Sequence, residues 1–304
     1  MNHASISVIV RTVDRSRLLA EALESLARQT NRHFEAVVVD MGNGTAGSVL
    51  DGVRPRLPHA QHLLVGRLLL RPDALNYGIR RATADKIAIL DDDNLFDPNH
   101  LQVLIDGLER TGADLVYTGA NRTTYTPDGD LVDSTEWHHE FHLPTLLVGN
   151  YIHTCATAFW KRTWERVGGY DPRFPVGEDT DFLLKVAGIG TIESLPSVSA
   201  ESRAFTGTPG ERTHTAETDA LRRCRAGLYW RHRKLFFRER HRLHAEKFGA
   251  DGAIVPRAQR PAWVEWRRRA SLLGDLLGWW WYCAPRGQSR FAGGDRPPTP
   301  GSAS

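Results

Sequence analysis

The stretch Lys86-Ile87-Ala88-Ile89-Leu90-Asp91-Asp92-Asp93 decides how this chain is read. Lys86 to Leu90 form a short apolar run suited to a buried strand, and three carboxylates follow it without a spacer. Adjacent carboxylates repel one another unless a cation or solvent neutralises them. In open α/β sheets, ligands gather outside the carboxyl ends of the strands, which is where such a triplet would stand. Asp91 and Asp93, one residue apart, would then both face the ligand site. Their oxygens suit a hard cation, Mg2+ or Mn2+, whose shell is completed by substrate phosphates and water. On its own, a solvated turn from Asp91 to Asn94 explains the triplet equally well.

The flanking sequence favours the sheet. Ile6 to Arg11 reads as a strand, followed by Leu18, Leu19, Ala22, Leu23 and Leu26 at helical spacing. Phe34 to Asp40 is a second buried-type strand, closed by the glycines of Met41-Gly42-Asn43-Gly44. His62 to Val65 predicts a third strand, and Pro72 to Ala82 a helix with proline in its first turn. Strands alternating with helices imply a parallel sheet with right-handed crossovers. Further on, Pro98 to Arg110 reads as a helix, Asp114 to Thr118 as a strand and Pro127-Asp128-Gly129 as a hairpin turn. Asp179 to Ala187 resembles a helix with carboxylates in its first turn, and the α/β unit is expected to end near Ser199.

Five segments in order carry a resemblance. They are Ser7-Val8-Ile9-Val10-Arg11-Thr12, Val37-Val38-Val39-Asp40 with its glycine loop, Ala74-Leu75-Asn76-Tyr77-Gly78, the triplet Asp91-Asp92-Asp93, and Gly168-Gly169-Tyr170-Asp171 with Gly177-Glu178-Asp179-Thr180-Asp181. Over about residues 5 to 215 the chain resembles glycosyltransferase family 2, of the GT-A fold. The resemblance implies an α/β, Rossmann-like, mixed but mainly parallel sheet flanked by helices, and a nucleotide-sugar donor. Thr12, Asp14, Asp40, Arg71, Asn76, Asp91 and Asp92 match donor-side positions. The Asp40 carboxylate suits the N3–H of uracil or thymine, favouring a UDP- or dTDP-sugar, although Met41 and Asn43 depart from the family's Asp-Asp-Gly-Ser loop. Asp93 is expected as direct metal ligand, with Asp91 and His214 as further candidates. Asp179 matches the general base and Glu178 its neighbour, implying single displacement with inversion. His153, Asp181, Arg203 and Arg212 are candidates for the acceptor or the diphosphate.

Other classes fit less well. Arg11-Thr12-Val13-Asp14-Arg15 lacks the glycine-rich phosphate loop of a nucleotidyltransferase or a dinucleotide-binding dehydrogenase. No Gln-x-x-Arg-Trp motif of a processive synthase is present, so transfer of one sugar to a glycan, lipid-linked or small-molecule acceptor is expected. A carbohydrate-binding module that kept the fold without catalysis would have no need of Asp93 and Asp179.

Composition bounds the rest. The chain has 304 residues, 41% hydrophobic and 25% charged, enough for one large core and an appendage. Nothing approaches a membrane span and no signal peptide fits before the first strand, so a cytoplasmic protein is expected. Cys155, Cys224 and Cys283 suggest neither a disulfide framework nor a zinc site. The net charge of +3 divides into −9 over residues 1–220 and +12 over 221–304. Three regions follow: a catalytic domain over 1–215 (donor side to about 120, acceptor side from 121), a basic aromatic helical extension over 216–284, and a disordered tail over 285–304. The extension is expected to pack on the catalytic domain, with peripheral membrane contact through 221–284 as a second role. Nucleic acid is not expected as a partner, and the sequence is compatible with a homo-oligomer.

Overall fold

A computed structural model describes residues 4–65, 69–207 and 227–239. Its first half alternates strands and helices: β1 (Ile6–Thr12), α1 (Ser16–Ala27), β2 (Phe34–Asp40), α2 (Thr45–Val53), β3 (Ala60–Leu64), α3 (Arg71–Arg81) and β4 (Lys86–Asp91). The second half continues with β5 (Leu95–Phe96), α4 (His100–Thr111), β6 (Leu115–Tyr125), β7 (Leu131–Trp137), α5 (Leu143–Val148), β8 (Thr157–Trp160), α6 (Lys161–Val167), α7 (Glu178–Ile189) and β9 (Ile192–Phe205).

One nine-stranded sheet runs β3-β2-β1-β4-β8-β6-β9-β5, with β7 pairing β6 off this path. The β3-β2-β1-β4 half is parallel. Beyond β4 the sheet is mixed: β8 is antiparallel to both β4 and β6, while β9 runs parallel to β6 along a much longer ladder. β1 and β2 are buried along their whole length, as expected of strands covered on both faces. Alternate residues therefore serve different layers. Val8 and Val10 pack with Leu19, Leu23 and Leu26 of α1, whereas Ile9 packs with Leu75 and Ile79 of α3.

Several elements differ from expectation. β6 runs to Tyr125, well past Thr118, and β9 carries the α/β unit to Phe205 rather than ending it near Ser199. α2 was not signalled, because Thr45–Val53 holds three buried residues among glycines and polar groups. Of the expected extension, the described part is a helical segment over 227–239 with Leu228 and Leu235 buried. The rest of that extension to residue 284, the tail, Cys224 and Cys283 lie outside the described residues. Among the described residues, no helix is long and apolar enough to cross a membrane.

Candidate active site

Parallel pairing brings the ends of β1, β2 and β4 to one edge, with Thr12 opposite Asp40 and Arg11 opposite Asp91. The register decides which charges meet. Arg11 reaches Asp91 through Nε to Oδ1 at 2.5 Å and Nη2 to Oδ2 at 3.0 Å, a two-pronged pair with little access to water. Its remaining Nη1 lies 3.3 Å from Oε1 of Glu178, the first residue of α7. Arg15 pairs with the other two carboxylates, donating to both oxygens of Asp92 and, at 2.9 Å, to Oδ2 of Asp93. The mutual repulsion of the triplet is thus met by two arginines of the protein's own.

Environment separates these carboxyl groups. Burial alone would raise Asp91, but the charge and hydrogen bonds of Arg11, helped by Arg71 and Arg15, hold it down at about 2. Asp92 is fully buried, and burial pushes it up to about 6 against Arg15 and the Thr12 hydroxyl, which donates to it at 2.6 Å. Glu178 goes up to about 7, first by burial and then by the neighbouring Asp179 charge, with Arg11 and Arg71 opposing. Arg71, exposed at the start of α3, therefore lies near enough to bear on both Asp91 and Glu178.

Two loops over this edge are tied together. Asp14 has φ +50°, and its Oδ1 accepts the Asn43 N–H at 2.9 Å. A Cβ on Gly42 would lie 2.1 Å from that same Oδ1, so only glycine lets the loops close. Asp40 is fully buried beneath them. Its oxygens accept the N–H groups of Gly42 at 2.9 Å and Ala46 at 3.3 Å, and His62 Nε2 lies 3.2 Å away. Asp40 and Thr12, expected to touch the base, thus spend their side-chain polar atoms on the framework beneath these two loops.

Asn76 is likewise internal. Its amide donates to the Tyr170 carbonyl at 2.7 Å and accepts from Tyr170 N–H at 2.9 Å and Trp164 Nε1 at 3.0 Å. A Cβ on Gly169, at φ +69°, would stand 2.7 Å from Asn76 Oδ1. The Ala-Leu-Asn segment and the Gly-Gly-Tyr-Asp turn are therefore two halves of one junction.

Downstream, Asp179 stands half-exposed at the start of α7, its Oδ2 accepting from Asn150 Nδ2 at 2.9 Å. Asn150 is fixed in turn, since its own Oδ1 accepts the Ile152 N–H at 2.9 Å. His153, partly exposed, precedes the 3-10 turn Thr154–Ala156. Asp181 is a correction: it is fully buried and faces Lys185, Arg231 and His232, away from any acceptor. Arg203 is another, because its Nε donates to the Asp93 carbonyl at 2.5 Å and its Nη1 to Glu21 Oε2 at 2.5 Å, clamping the loop from behind. Arg212 and His214 lie outside the described residues.

Arg11, Arg15 and Asn150 are the residues that sequence reasoning missed. A signal existed for Arg11, because a guanidinium ending an otherwise apolar strand must find a carboxylate beside it. Asn150 carried one in the segment 150–154, which falls where an acceptor site would be lined, though it points to His153 rather than Asn150; Arg15 carried none, lying in a polar loop where such a residue is ordinary.

The donor set bears on the expected cation. Both oxygens of Asp91 are held by Arg11 and both of Asp92 by Arg15, whereas Asp93, a quarter exposed, has only Oδ2 engaged with Arg15. Among the described residues, no group of three or more His, Cys, Asp or Glu is arranged to hold a metal. A Mg2+ or Mn2+ ion bound through one or two carboxylates, with the rest from phosphate and water, needs no such group. Asp93 fits that requirement.

A parallel half-sheet with a carboxylate cluster at its strand ends, and a helix bringing further carboxylates across from a mixed half, defines the GT-A class of glycosyltransferases. The model for the family described as Glycosyl transferase family 2 matches residues 7–161, and the chain belongs to that family. Glycosyltransferase YwdF of Bacillus subtilis is 26% identical over 205 residues, covering 64% of this chain and 72% of the relative. PGL/p-HBAD biosynthesis glycosyltransferase Rv2957 of Mycobacterium tuberculosis is 28% identical over 187 residues, covering 59% and 68%. Against a longer Rickettsia conorii glycosyltransferase, the matched region spans 34% of the relative. Among solved structures, S. aureus TarS 1-349 in complex with UDP superposes with TM-score 0.58 at 16% identity, covering 90% of this chain and 80% of that one. A mannosyltransferase from Pyrobaculum calidifontis in complex with GDP-Man and Mn2+ gives 0.56 at 20%, covering 92% and 88%. The chain is a glycosyltransferase.

Proposed function

We propose that this glycosyltransferase moves one sugar from a nucleoside-diphosphate sugar to a hydroxyl of a glycan, lipid-linked or small-molecule acceptor, with inversion at the anomeric carbon. The observation that carries the reading is the Arg11 bridge, which joins a carboxylate at the end of β4 to the first residue of α7. Donor-side and acceptor-side charges thereby form one network over the carboxyl edge of the sheet.

Asp179 takes the proton of the attacking hydroxyl, with its Oδ2 aimed by the Asn150 amide. As the acceptor oxygen bonds to the anomeric carbon, the bond from that carbon to the diphosphate breaks, and no covalent enzyme intermediate forms. Asp93 would hold Mg2+ or Mn2+ together with the diphosphate, and the ion, when bound, supplies positive charge to the leaving group. Arg15, half-exposed at the mouth, and Arg71 at the α3 N-terminus add charge of the same sign nearby. The loops joined by Asp14 and Asn43 form the floor for the base, shaped from below by Asp40 and Thr12.

A screen of UDP-, dTDP- and GDP-sugars with Mn2+, followed by release of the nucleoside diphosphate, tests the reading. Asp179→Asn is expected to keep donor binding and to lower turnover by about 100-fold or more. Turnover within about twofold of wild type would remove Asp179 from the base role.

A further inference from the structure

We propose that the helical segment 227–239 is a strut that sets the position of the Glu178-Asp179 turn, with Arg231 as its positioning residue; this rests on Asp179 being the base. The turn is reached through the segment 171–177, which follows the Asn76 junction. Arg231 holds the start of that segment and the first turn of α7 that follows it. Its Nη1 lies 2.6 Å from Asp171 Oδ2, and its Nε lies 2.9 Å from Asp181 Oδ1, two residues beyond Asp179. Between them, the same guanidinium stands 5.8 Å from the ring centroid of Phe174.

Burial makes this contact consequential. Asp181 has no exposure to water, so its charge must be met by protein. His232 Nε2 lies 2.8 Å from Oδ1, and Lys185 of α7 lies 3.1 Å from Oδ2 while also donating to the Gly169 carbonyl. Only Lys185 belongs to the catalytic body; the other two partners, Arg231 and His232, come from 227–239. Leu228 and Leu235, one on each side of the turn at His232, are buried at 7% and 8% exposure and anchor the segment. A planar fork held between two carboxylates sets the distance between them, which a flexible ammonium does not. Because a misplacement of about 1 Å at a reacting group can cost about 100-fold in rate, the strut acts on catalysis as well as on stability.

The test uses the full chain carrying Arg231→Met, Arg231→Lys or Arg231→Ala. Two readouts are hydrogen exchange over residues 171–184 and release of UDP from the UDP-sugar that most stabilises the wild type, with water as acceptor. The expected result is faster exchange in 171–184 with the β1 and β4 peptides unchanged. For Arg231→Met, kcat should fall about 10-fold or more with the donor KM within about twofold, and guanidinium ion should restore part of the Arg231→Ala loss. If Arg231→Met does not fold, Arg231→Lys carries the same comparison. A variant with a lower melting temperature but unchanged kcat, local exchange and guanidinium response would be a plain tether, which overturns the proposal. A wild type that releases UDP from no donor defeats the choice of UDP as the donor's nucleotide instead, and exchange over 171–184 then decides the strut by itself.

Discussion

Arg11 places a full charge where water scarcely reaches, and the two carboxylates facing it respond in opposite directions. Asp91, gripped at both oxygens, is held down at about 2, whereas Glu178, touched once and crowded by Asp179, is pushed up to about 7 by burial first. Between the ordinary glutamate range and neutrality, the folded chain therefore keeps a proton on Glu178 that the unfolded chain has released. Stability falls as pH rises through that window, because folded protein binds more protons than unfolded. A glutamine at this position does not titrate. The gain in stability of Glu178→Gln over wild type is expected to grow from near zero at about pH 4 to on the order of 2 kcal/mol at about pH 8, measured by urea denaturation across pH. A difference independent of pH would show that Glu178 titrates alike in the folded and unfolded chains. The same residue illustrates what a sequence hides: the pairing of Glu178 with Arg11 spans 167 positions, and only the packing of α7 over the end of β1 brings them together.

At the level of elements, the decisive contact is the one Asn76 makes between α3 and the turn after α6 (Lys161–Val167). Three polar groups, Trp164 Nε1 and the N–H and carbonyl of Tyr170, depend on one amide. Asn76→Ala is expected to cost about 2 to 4 kcal/mol in urea denaturation, since it leaves buried groups without partners. Asn76→Asp, which keeps both acceptor contacts, should cost less; equal costs would mean that the lost bond to the Tyr170 carbonyl carries the whole effect. The strands β1, β2 and β4 were legible because both of their faces are buried, which writes itself as unbroken apolar sequence. β6 and β9 were not. Asn121 to Tyr125 is largely polar and half-buried, and Pro196 interrupts β9. The ladder with β6 skips there, pairing Tyr117 with Ser194 and Gly119 with Val198, so the proline sits in an irregularity that spares it a ladder hydrogen bond. Of the candidate site, the positions of Asp93, Glu178 and Asp179 were readable from motif order, whereas the inward turn of Asp40, Thr12, Asn76, Asp181 and Arg203 was not, because motif order carries no side-chain direction.

Over the whole molecule, charge is sorted in a way that the net value conceals. An acidic body carries its carboxylates on the carboxyl edge of the sheet and at the start of α7, and it answers them with arginines from β1, from the loop after it and from residues 227–239. On the proposed reading, such an edge would receive a ligand that brings both signs, a diphosphate for Arg15 and Arg71 and a divalent cation for Asp93. Calorimetric titration of UDP into the wild type and Asp93→Asn, each with Mn2+ and with a chelator, tests this most directly. The wild type should bind UDP at least about 10-fold more tightly with Mn2+, and Asp93→Asn should lose that gain, a difference of about 1.4 kcal/mol. Equal affinity for UDP in all four titrations, or no binding in any, would contradict the assignment of this edge as the donor site.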